Sequence, residues 1–273
     1  MPRLDCSIET AVVGSSSRSG QVLTLLLFFL TFSPILSYAA DGGAATSISP
    51  SHAIVVGFVG GFVHPNDRRH SEVQLISKLQ AGHSGVHSQI FDNHHQKEAY
   101  QAILHWLDTD ADGSLSAGER TATQIVLFGH SWGAAAVISL ARDLQRESIP
   151  VALTIQVDSI TKIGQNDRIV PANVAKAVNF YQTRGMLHGQ TKITAENPAR
   201  TQILGAFRFD YDELPAECDD YPWADRHFFK GHTAIECDPH VWSQVESLIE
   251  GSLSSNRNLA SQPALPLSPT DSR

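Results

Sequence analysis

The amino-acid sequence predicts an α/β fold in which a mostly parallel sheet has helices on both faces. Runs typical of strands alternate with amphipathic helical patterns along the middle of the chain, which is the order that builds parallel sheets. The first run, residues 53–59 (AIVVGFV), is apolar throughout, as expected for a strand buried on both faces. Such sheets bind ligands at the carboxyl ends of their strands, so the residues that follow each strand are the first candidates for function.

The individual elements follow from the spacing of apolar residues. Helices are predicted where apolar residues recur on one face, as Val73, Ile76 and Leu79 do in the first of them. The short apolar runs between these helices are predicted to be strands. The predicted strands are residues 53–59, 85–91, 124–128, 150–157 and 177–181, and the predicted helices are residues 71–79, 97–107, 134–144 and 241–249.

The start of the chain has the order of a secretory signal. Residues 22–32 are apolar, Arg18 precedes them, and the small residues Ser37 and Ala39 follow them. We therefore predict a signal peptide over residues 1–39, cleaved after Ala39, with an uncleaved anchor as the alternative. The apolar run is too short for a comfortable membrane span, so the mature protein is expected to be secreted or periplasmic, with no stable span.

Composition predicts which other parts of the chain fold and which kind of partner is excluded. Residues 252–273 are rich in Ser, Pro and Asn without an apolar period, and we predict a disordered tail there. Residues 40–51 are expected to be a flexible segment, which leaves residues 52–251 for one folded domain. The 273 residues carry a net charge of −8 without a basic stripe, which argues against a nucleic-acid partner. The oligomeric state is not predicted.

The third strand leads into a serine flanked by glycines. Ser131 has Gly129 two residues before it and Gly133 two residues after it, between the strand at 124–128 and the helix at 134–144. Glycines at these places let a strand turn sharply into a helix and expose the hydroxyl at the top of the sheet. The segment IVLFGHSWGA around Ser131 resembles the nucleophile elbow of lipases and esterases in the α/β-hydrolase superfamily. The resemblance implies a trimmed version of that fold without its early antiparallel strands.

The resemblance also implies a base late in the chain, since the superfamily orders its triad as Ser, acid, His. His232 lies ahead of the closing helix, in a stretch we predict to be a loop, and is the preferred base. His240, at the start of that helix, and His227 are the alternatives.

Two aspartates compete to orient the base. Asp158 falls at the carboxyl end of the fourth strand, whereas Asp167 lies in a segment, GQNDRIVP, that resembles the acid loop of many hydrolases. Because that motif normally follows directly on a strand and Asp167 does not, Asp158 is preferred and Asp167 remains the alternative. The oxyanion would be held by the backbone N–H groups of Trp132 and Phe62, the latter in a loop that resembles the oxyanion loop of lipases.

Residues 108–119 (DTDADGSLSAGE) match the calcium loop of the EF-hand at every required place. Four carboxylates this close would repel one another without a cation. Only one such loop is found, so a single structural Ca²⁺ is predicted, tying together the connection into the third strand. A solvated acidic turn is the alternative. The predicted ligands are Asp108, Asp110, Asp112, the Ser114 carbonyl, Ser116 and Glu119, with Gly113 making the turn.

These features together predict an exported, lipase-like serine hydrolase that cleaves a small-molecule or lipid ester through an acyl-enzyme. Cys218 and Cys237 remain once Cys6 leaves with the signal, and we expect a disulfide between them, with two free thiols as the alternative. The competing functional class is a non-catalytic, calcium-dependent binding protein on a hydrolase fold. A serine-directed probe distinguishes the two classes.

Overall fold

The computed structural model describes residues 53–260, with side chains to Ser254. The predicted signal peptide (residues 1–39) and flexible segment (residues 40–51) lie outside the described residues. Within the part of the chain that is described, no helix combines the length and the apolar character that a membrane span requires.

Six strands form one sheet in the order β2-β1-β3-β4-β6-β8, and every neighbouring pair is parallel. This confirms the predicted α/β class. Two further strands, β5 and β7, pair with each other in a small second sheet. The strands are β1 (Ala53–Val59), β2 (Val86–Asp92), β3 (Gln124–His130), β4 (Val151–Val157), β5 (Ile169–Val170), β6 (Val174–Tyr181), β7 (Thr194–Ala195) and β8 (Gln202–Arg208).

Helices cover both faces of the large sheet, because its central strands carry apolar side chains on each face. Along β1, Ile54, Val56 and Phe58 face a core built with α2 and α4, whereas Ala53 and Val55 face a core built with α1 and α7. The helices are α1 (Ser71–Gly82), α2 (Gln96–Leu107), α3 (Glu119–Ala122), α4 (Trp132–Arg146), α5 (Trp223–Phe228), α6 (Lys230–Cys237) and α7 (Pro239–Ala260).

The strand order reverses between β1 and β3, and this reversal locates the site. The chain leaves β1 through α1 and returns as β2 on one side, whereas β3 pairs with the other side of β1 and leads into α4. Because α1 and α4 pack on opposite faces, the loops that leave β1 and β3 diverge. They open a crevice beyond the carboxyl ends of both strands, the usual place for a ligand in such sheets.

The structure corrects the predicted boundary of the C-terminal tail. Helix α7 runs to Ala260, so the expected start of disorder at residue 252 falls inside a helix. The reason is that Leu253 extends the apolar face of Val245 and Ile249 by one more turn and is buried against the sheet. The Ser252 hydroxyl also accepts a hydrogen bond from Nε2 of Gln124, at 2.7 Å.

Two further differences concern the last third of the domain. Strand β8 was not predicted, because this edge strand is largely exposed and Gly205 interrupts it, so it lacks a continuous apolar run. His232 was expected in a loop but lies in α6, whose residues from Gly231 to Cys237 are all buried. This helix has only eight residues, of which Ala234, Ile235 and Cys237 are apolar, so it lacks the longer recurring pattern from which the other helices were predicted.

Candidate active site

The turn at Ser131 places its hydroxyl at the carboxyl edge of the sheet. Strand β3 ends at His130 and helix α4 begins at Trp132, so Ser131 alone makes the change of direction, with φ 57° and ψ −125°. A positive φ is sterically costly for a residue with a Cβ, and such strain recurs at functional sites. The Ser131 N–H donates to the carbonyl of Val157 at 2.9 Å, which anchors the turn to β4.

The glycines at 129 and 133 are required by close packing around this turn. A Cβ on Gly133 would lie 2.3 Å from the carbonyl oxygen of Phe58, and one on Gly129 would lie 2.6 Å from the carbonyl carbon of Gly133. These obstacles are backbone atoms, so a rotamer change does not relieve them. The first turn of α4 therefore rests directly on β1.

We expect Gly133→Ala to lower the free energy of unfolding by about 1–3 kcal/mol or more, because the added methyl displaces backbone of β1. Gly251→Ala is the matched control, since a Cβ there meets no atom within 4 Å and alanine is favoured in a helix. Urea denaturation of the wild type and both variants measures the effect. Equal stability of the two variants would contradict the close packing described here.

Three predicted residues form a continuous hydrogen-bonded series. Oγ of Ser131 lies 2.8 Å from Nε2 of His232, and Nδ1 of the same ring lies 2.7 Å from Oδ2 of Asp158. All three residues are more than nine-tenths buried. An ionised carboxylate only accepts, so Nδ1 carries the proton and donates to Asp158, which leaves Nε2 free to accept from the serine hydroxyl.

The Asp158 carboxylate is surrounded by donors. Its Oδ1 accepts from the backbone N–H of Gly189 at 2.7 Å, and its Oδ2 accepts from Nε2 of Gln182 at 2.8 Å in addition to His232. Gly189 approaches so closely that a Cβ there would lie 2.4 Å from the Asp158 carbonyl carbon. This donor set fixes the orientation of the carboxylate.

The alternatives to Asp158 and His232 lie elsewhere. Asp167 is buried, but its carboxylate accepts hydrogen bonds from the Ser159 and Thr161 hydroxyls, which anchors its own loop. His240 is exposed on α7, where its Nε2 contacts the Gln244 amide. His227 is exposed on α5, and its Nδ1 donates to the carbonyl of Trp223.

The two predicted oxyanion residues, Phe62 and Trp132, line the same cavity as Ser131. Trp132 is the first residue of α4, and the loop after β1 passes so close that a Cβ on Gly60 would lie 2.9 Å from Cβ of Ser131. Asn93 holds this loop by donating from Nδ2 to the Gly61 carbonyl at 2.6 Å. The Phe62 ring is 89% exposed and meets the Trp132 indole edge-on, with the ring centroids 5.5 Å apart.

A cavity of about 530 Å³ opens over Ser131 and His232. Much of its wall is apolar, and its polar lining includes Asp67 and Arg69. The apolar wall is formed by Phe62, Val63, Ile160, Leu187 and Phe229. An apolar group attached to the reacting carbonyl would be desolvated against this wall.

The sequence did not predict a group of four buried ionisable residues beside His232, which we call the histidine–glutamate cluster: His70, Glu72, His130 and Glu236. Nδ1 of His70 is hydrogen-bonded to Oε1 of Glu236, and the His130 ring lies over His232 with centroids 4.5 Å apart. His70 and Glu236 are 166 positions apart in the chain, so no local spacing signals the cluster.

The environment of the cluster shifts the pKa values of its members. Burial raises the pKa of Glu72, and the Glu236 carboxylate raises it further. Burial lowers the pKa of His70, but the hydrogen bond and charge of Glu236 outweigh it and raise that pKa to about 9. Burial and the neighbouring His232 hold the pKa of His130 well below its usual value, so this ring is neutral.

The acidic loop brings three of its six predicted metal ligands together. One carboxylate oxygen each of Asp108, Asp110 and Asp112 lies within 4.8 Å of the others, and Gly113 makes the turn with φ 82°. The Glu119 carboxylate does not join them. It accepts instead from Thr109 and from Ser116, whose backbone N–H groups donate at 2.8 and 3.0 Å. The remaining predicted ligand, Ser114, donates from its N–H to Asp112.

Cys218 and Cys237 form a disulfide, with their Cα atoms 5.4 Å apart. It joins the short 3-10 helix Ala216–Asp220 to the last residue of α6. His232 lies in the same helix as Cys237, so the bridge braces the element that carries it.

The sequence matches no protein-family model, and no curated protein is significantly similar to it. Among solved structures, an acetyl xylan esterase is similar over 74% of this chain and 99% of its own, at 12% identity and a TM-score of 0.35. A cutinase-like protein from Cryptococcus sp. matches over 77% and 98%, at 13% identity and 0.37. An arylesterase matches over 76% of both chains, at 10% identity and 0.39. These similarities are too weak to assign a function, which has to come from the geometry of the site.

Proposed function

We propose that the protein is a serine hydrolase that cleaves esters through an acyl-enzyme. The observation that supports this most directly is the hydrogen-bonded series from Ser131 through His232 to Asp158, at 2.8 and 2.7 Å. A serine hydroxyl is a weak nucleophile until a base accepts its proton, and the base has to be oriented by a third group. Each of these requirements is met by one side chain.

In the proposed reaction, Oγ of Ser131 attacks the ester carbonyl while its proton passes to Nε2 of His232. The tetrahedral oxyanion is held by the N–H groups of Trp132 and Phe62. The intermediate collapses as the bond to the alcohol breaks, and the alcohol leaves with the proton from His232. Water then gives its proton to His232, attacks the acyl carbon and releases the acid, returning the proton to Ser131. Asp158 stays ionised and stabilises the imidazolium at both stages.

The substrate we propose is an ester with an apolar acyl or alcohol group, either a small molecule or a lipid. The apolar wall of the cavity supports this, since Phe62, Ile160 and Phe229 would desolvate such a group. An amide is the less favoured substrate, because its carbonyl is less electrophilic than that of an ester and its amine is harder to expel.

The competing proposal, a non-catalytic binding protein, makes a different prediction for a serine-directed probe. A fluorophosphonate should label the wild-type protein at Ser131, as identified by mass spectrometry of the labelled peptide, because the probe needs an activated serine. A panel of p-nitrophenyl esters of increasing acyl length then reports turnover and the preferred acyl group. Absence of labelling and of ester turnover in folded protein would reject the hydrolase and favour the binding protein.

We further propose that the protein is exported and carries one structural Ca²⁺. The Cys218–Cys237 disulfide supports export, since such bridges persist in oxidising compartments. The acidic loop fits a hard cation, because it offers only oxygen donors and its three aspartates already converge. Bound Ca²⁺ would offset the repulsion between these carboxylates and stiffen the connection that leads through α3 into β3.

Addition of 10 mM Ca²⁺ to EGTA-treated protein should raise Tm by roughly 3–10 °C, if the loop binds with the roughly 10⁻⁴–10⁻³ M affinity of extracellular calcium modules. The double variant Asp110→Asn/Asp112→Asn should lose this rise. Asp212→Asn should keep it, because this exposed acid pairs with Arg184 instead. A rise of equal size in the double variant would locate the ion outside the acidic loop.

A further inference from the structure

The histidine–glutamate cluster joins three separate parts of the fold next to the catalytic histidine. His70 and Glu72 come from the start of α1, His130 ends β3, and Glu236 lies in α6 four residues after His232. One ligand atom each from His70, Glu72 and Glu236 lies within 4.8 Å of the other two. Nδ1 of His130 lies 3.6 Å from Oε1 of Glu72 and 3.5 Å from Oε2 of Glu236.

Two members of this cluster, Glu72 and His130, lack a well-formed hydrogen bond inside the protein. The backbone of Gly60 and of Glu72 itself approaches the Glu72 carboxylate, and the backbone of His232 approaches the His130 ring. Among the described residues, none of these contacts has the geometry of a good hydrogen bond. Glu72 is 0% exposed and His130 is 2% exposed, so bulk water does not solvate them. Buried polar groups in folded proteins nearly always have a partner, and one that lacks it calls for a bound ion, a water or another explanation. Two buried carboxylates side by side also repel each other unless a proton or a cation lies between them.

The donor set and its spacing suit a four-coordinate transition metal. Two imidazoles and two carboxylates are typical ligands of Zn²⁺, which binds at about 2.0–2.2 Å in tetrahedral geometry and so separates its ligand atoms by about 3.3–3.6 Å. The distances of 3.5 and 3.6 Å from His130 to the two carboxylates match this separation. Nδ1 of His70 is closer than this to Oε1 of Glu236, so the hydrogen bond between them would have to open for both residues to bind the metal.

The surroundings supply an outer partner and a path for entry. Nε2 of His70 lies 3.8 Å from Oδ2 of Asp67, and Arg69 holds that carboxylate by donating from Nε to Oδ1 at 2.9 Å. A carboxylate behind a ligating histidine is the common way in which metal sites orient the ring. His70, His130 and Glu236 all line the cavity over Ser131, which connects the cluster to solvent.

We propose that His70, Glu72, His130 and Glu236 bind one Zn²⁺-like divalent transition metal, at a site separate from both Ser131 and the acidic loop. The metal would hold α1, β3 and α6 together and thereby fix the position of the helix that carries His232. The role is structural and positional, and no step of the ester reaction passes through the ion.

The test compares metal retention by the full chain and by matched variants. Each protein is incubated with Zn²⁺, desalted, and analysed for bound zinc by mass spectrometry, with far-UV circular dichroism as the check on folding. The wild type should retain one Zn²⁺ per chain and melt at a higher temperature with zinc than without. Glu72→Gln and His70→Gln should retain roughly a tenth or less and lose the Tm rise, because each removes a ligand.

Two controls separate this site from other metal-binding groups. His83→Gln removes a histidine that follows the same helix and contacts the single carboxylate of Glu250, so it should retain zinc like the wild type. Asp110→Asn/Asp112→Asn disables the acidic loop and should also retain zinc. Loss of zinc in either control, or equal retention in the wild type and the cluster variants, overturns the proposal.

Cobalt supplies a measurement that requires no variant. Co²⁺ bound by two imidazoles and two carboxylates in four-coordinate geometry gives visible d–d absorption much stronger than that of hydrated Co²⁺. The wild-type protein titrated with Co²⁺ should develop this absorption up to one equivalent, and Zn²⁺ should remove it. The metal site is rejected if the wild-type protein binds no zinc and develops no such absorption band. In that case, a proton shared between Glu72 and Glu236 explains how the two carboxylates can be buried side by side. Neither outcome depends on ester turnover, so the two proposals fail independently.

Discussion

Ser131→Ala should reduce kcat/KM for ester hydrolysis by roughly 10⁴–10⁶-fold, because it removes the atom that forms the acyl-enzyme. The fold should survive, since the hydroxyl makes one hydrogen bond, to His232, while the turn is held by the Ser131 N–H and the flanking glycines. Initial rates on a p-nitrophenyl ester measure the loss, and circular dichroism checks the fold. Labelling by a fluorophosphonate should disappear as well.

Ser247→Ala is the matched control for this variant. Its hydroxyl donates to the carbonyl of Ser243 on the exposed face of α7. Ser247 is not among the residues that line the cavity over Ser131. It should change kcat/KM by less than twofold. Retention of substantial ester turnover by Ser131→Ala would show that another group performs the chemistry and would remove the basis of the proposed mechanism.

Asp158→Asn should reduce kcat by about 10⁴-fold, a magnitude known from the equivalent change in a serine protease. An amide in place of the carboxylate can present a donor to Nδ1 of His232, which would favour the tautomer whose Nε2 carries the proton and cannot accept from Ser131. It would also leave the imidazolium without a counter-charge. The rate on a p-nitrophenyl ester, with KM measured separately, should show the loss mainly in kcat.

Asp167→Asn distinguishes the two candidate acids. Its carboxylate accepts from the hydroxyls of Ser159 and Thr161 and makes no hydrogen bond to His232 in the described structure. The variant should keep kcat within about tenfold of the wild type and lose about 1–3 kcal/mol of unfolding free energy, since buried hydrogen bonds are weakened. A larger loss of kcat in Asp167→Asn than in Asp158→Asn would reverse the assignment.

Local sequence patterns were enough to predict the strands and helices that carry the site. The strands β1, β3 and β4 and the helices α1, α2 and α4 lie where apolar periodicity predicts them, because burial on one face or on both imposes a period that a single stretch of chain displays. The turn at Ser131 could also be predicted from a single short stretch of sequence. Any residue with a Cβ at position 129 or 133 would clash with the backbone of the turn or of β1, so glycine is required at both positions.

Elements whose position depends on contacts between residues far apart in the sequence could not be predicted from the sequence. Strand β8 is an exposed edge whose place is set by pairing with β6, and the part of α7 after residue 251 contributes Leu253 to the core. The choice between Asp158 and Asp167 stayed open for the same reason. Both aspartates follow β4 and both are buried, and only the position of α6 decides which of them His232 reaches.

The sequence by itself therefore determined the α/β class, the turn at Ser131 and the acidic loop, because each is written in residues close together in the chain. The tertiary structure decided which of the two aspartates contacts His232, since that contact spans 74 positions between Asp158 and His232. It alone also revealed the histidine–glutamate cluster, whose members meet only after α1, β3 and α6 have packed. The physical reason is that these side-chain contacts form between residues far apart in the chain, so they exist only once the helices and strands have packed together.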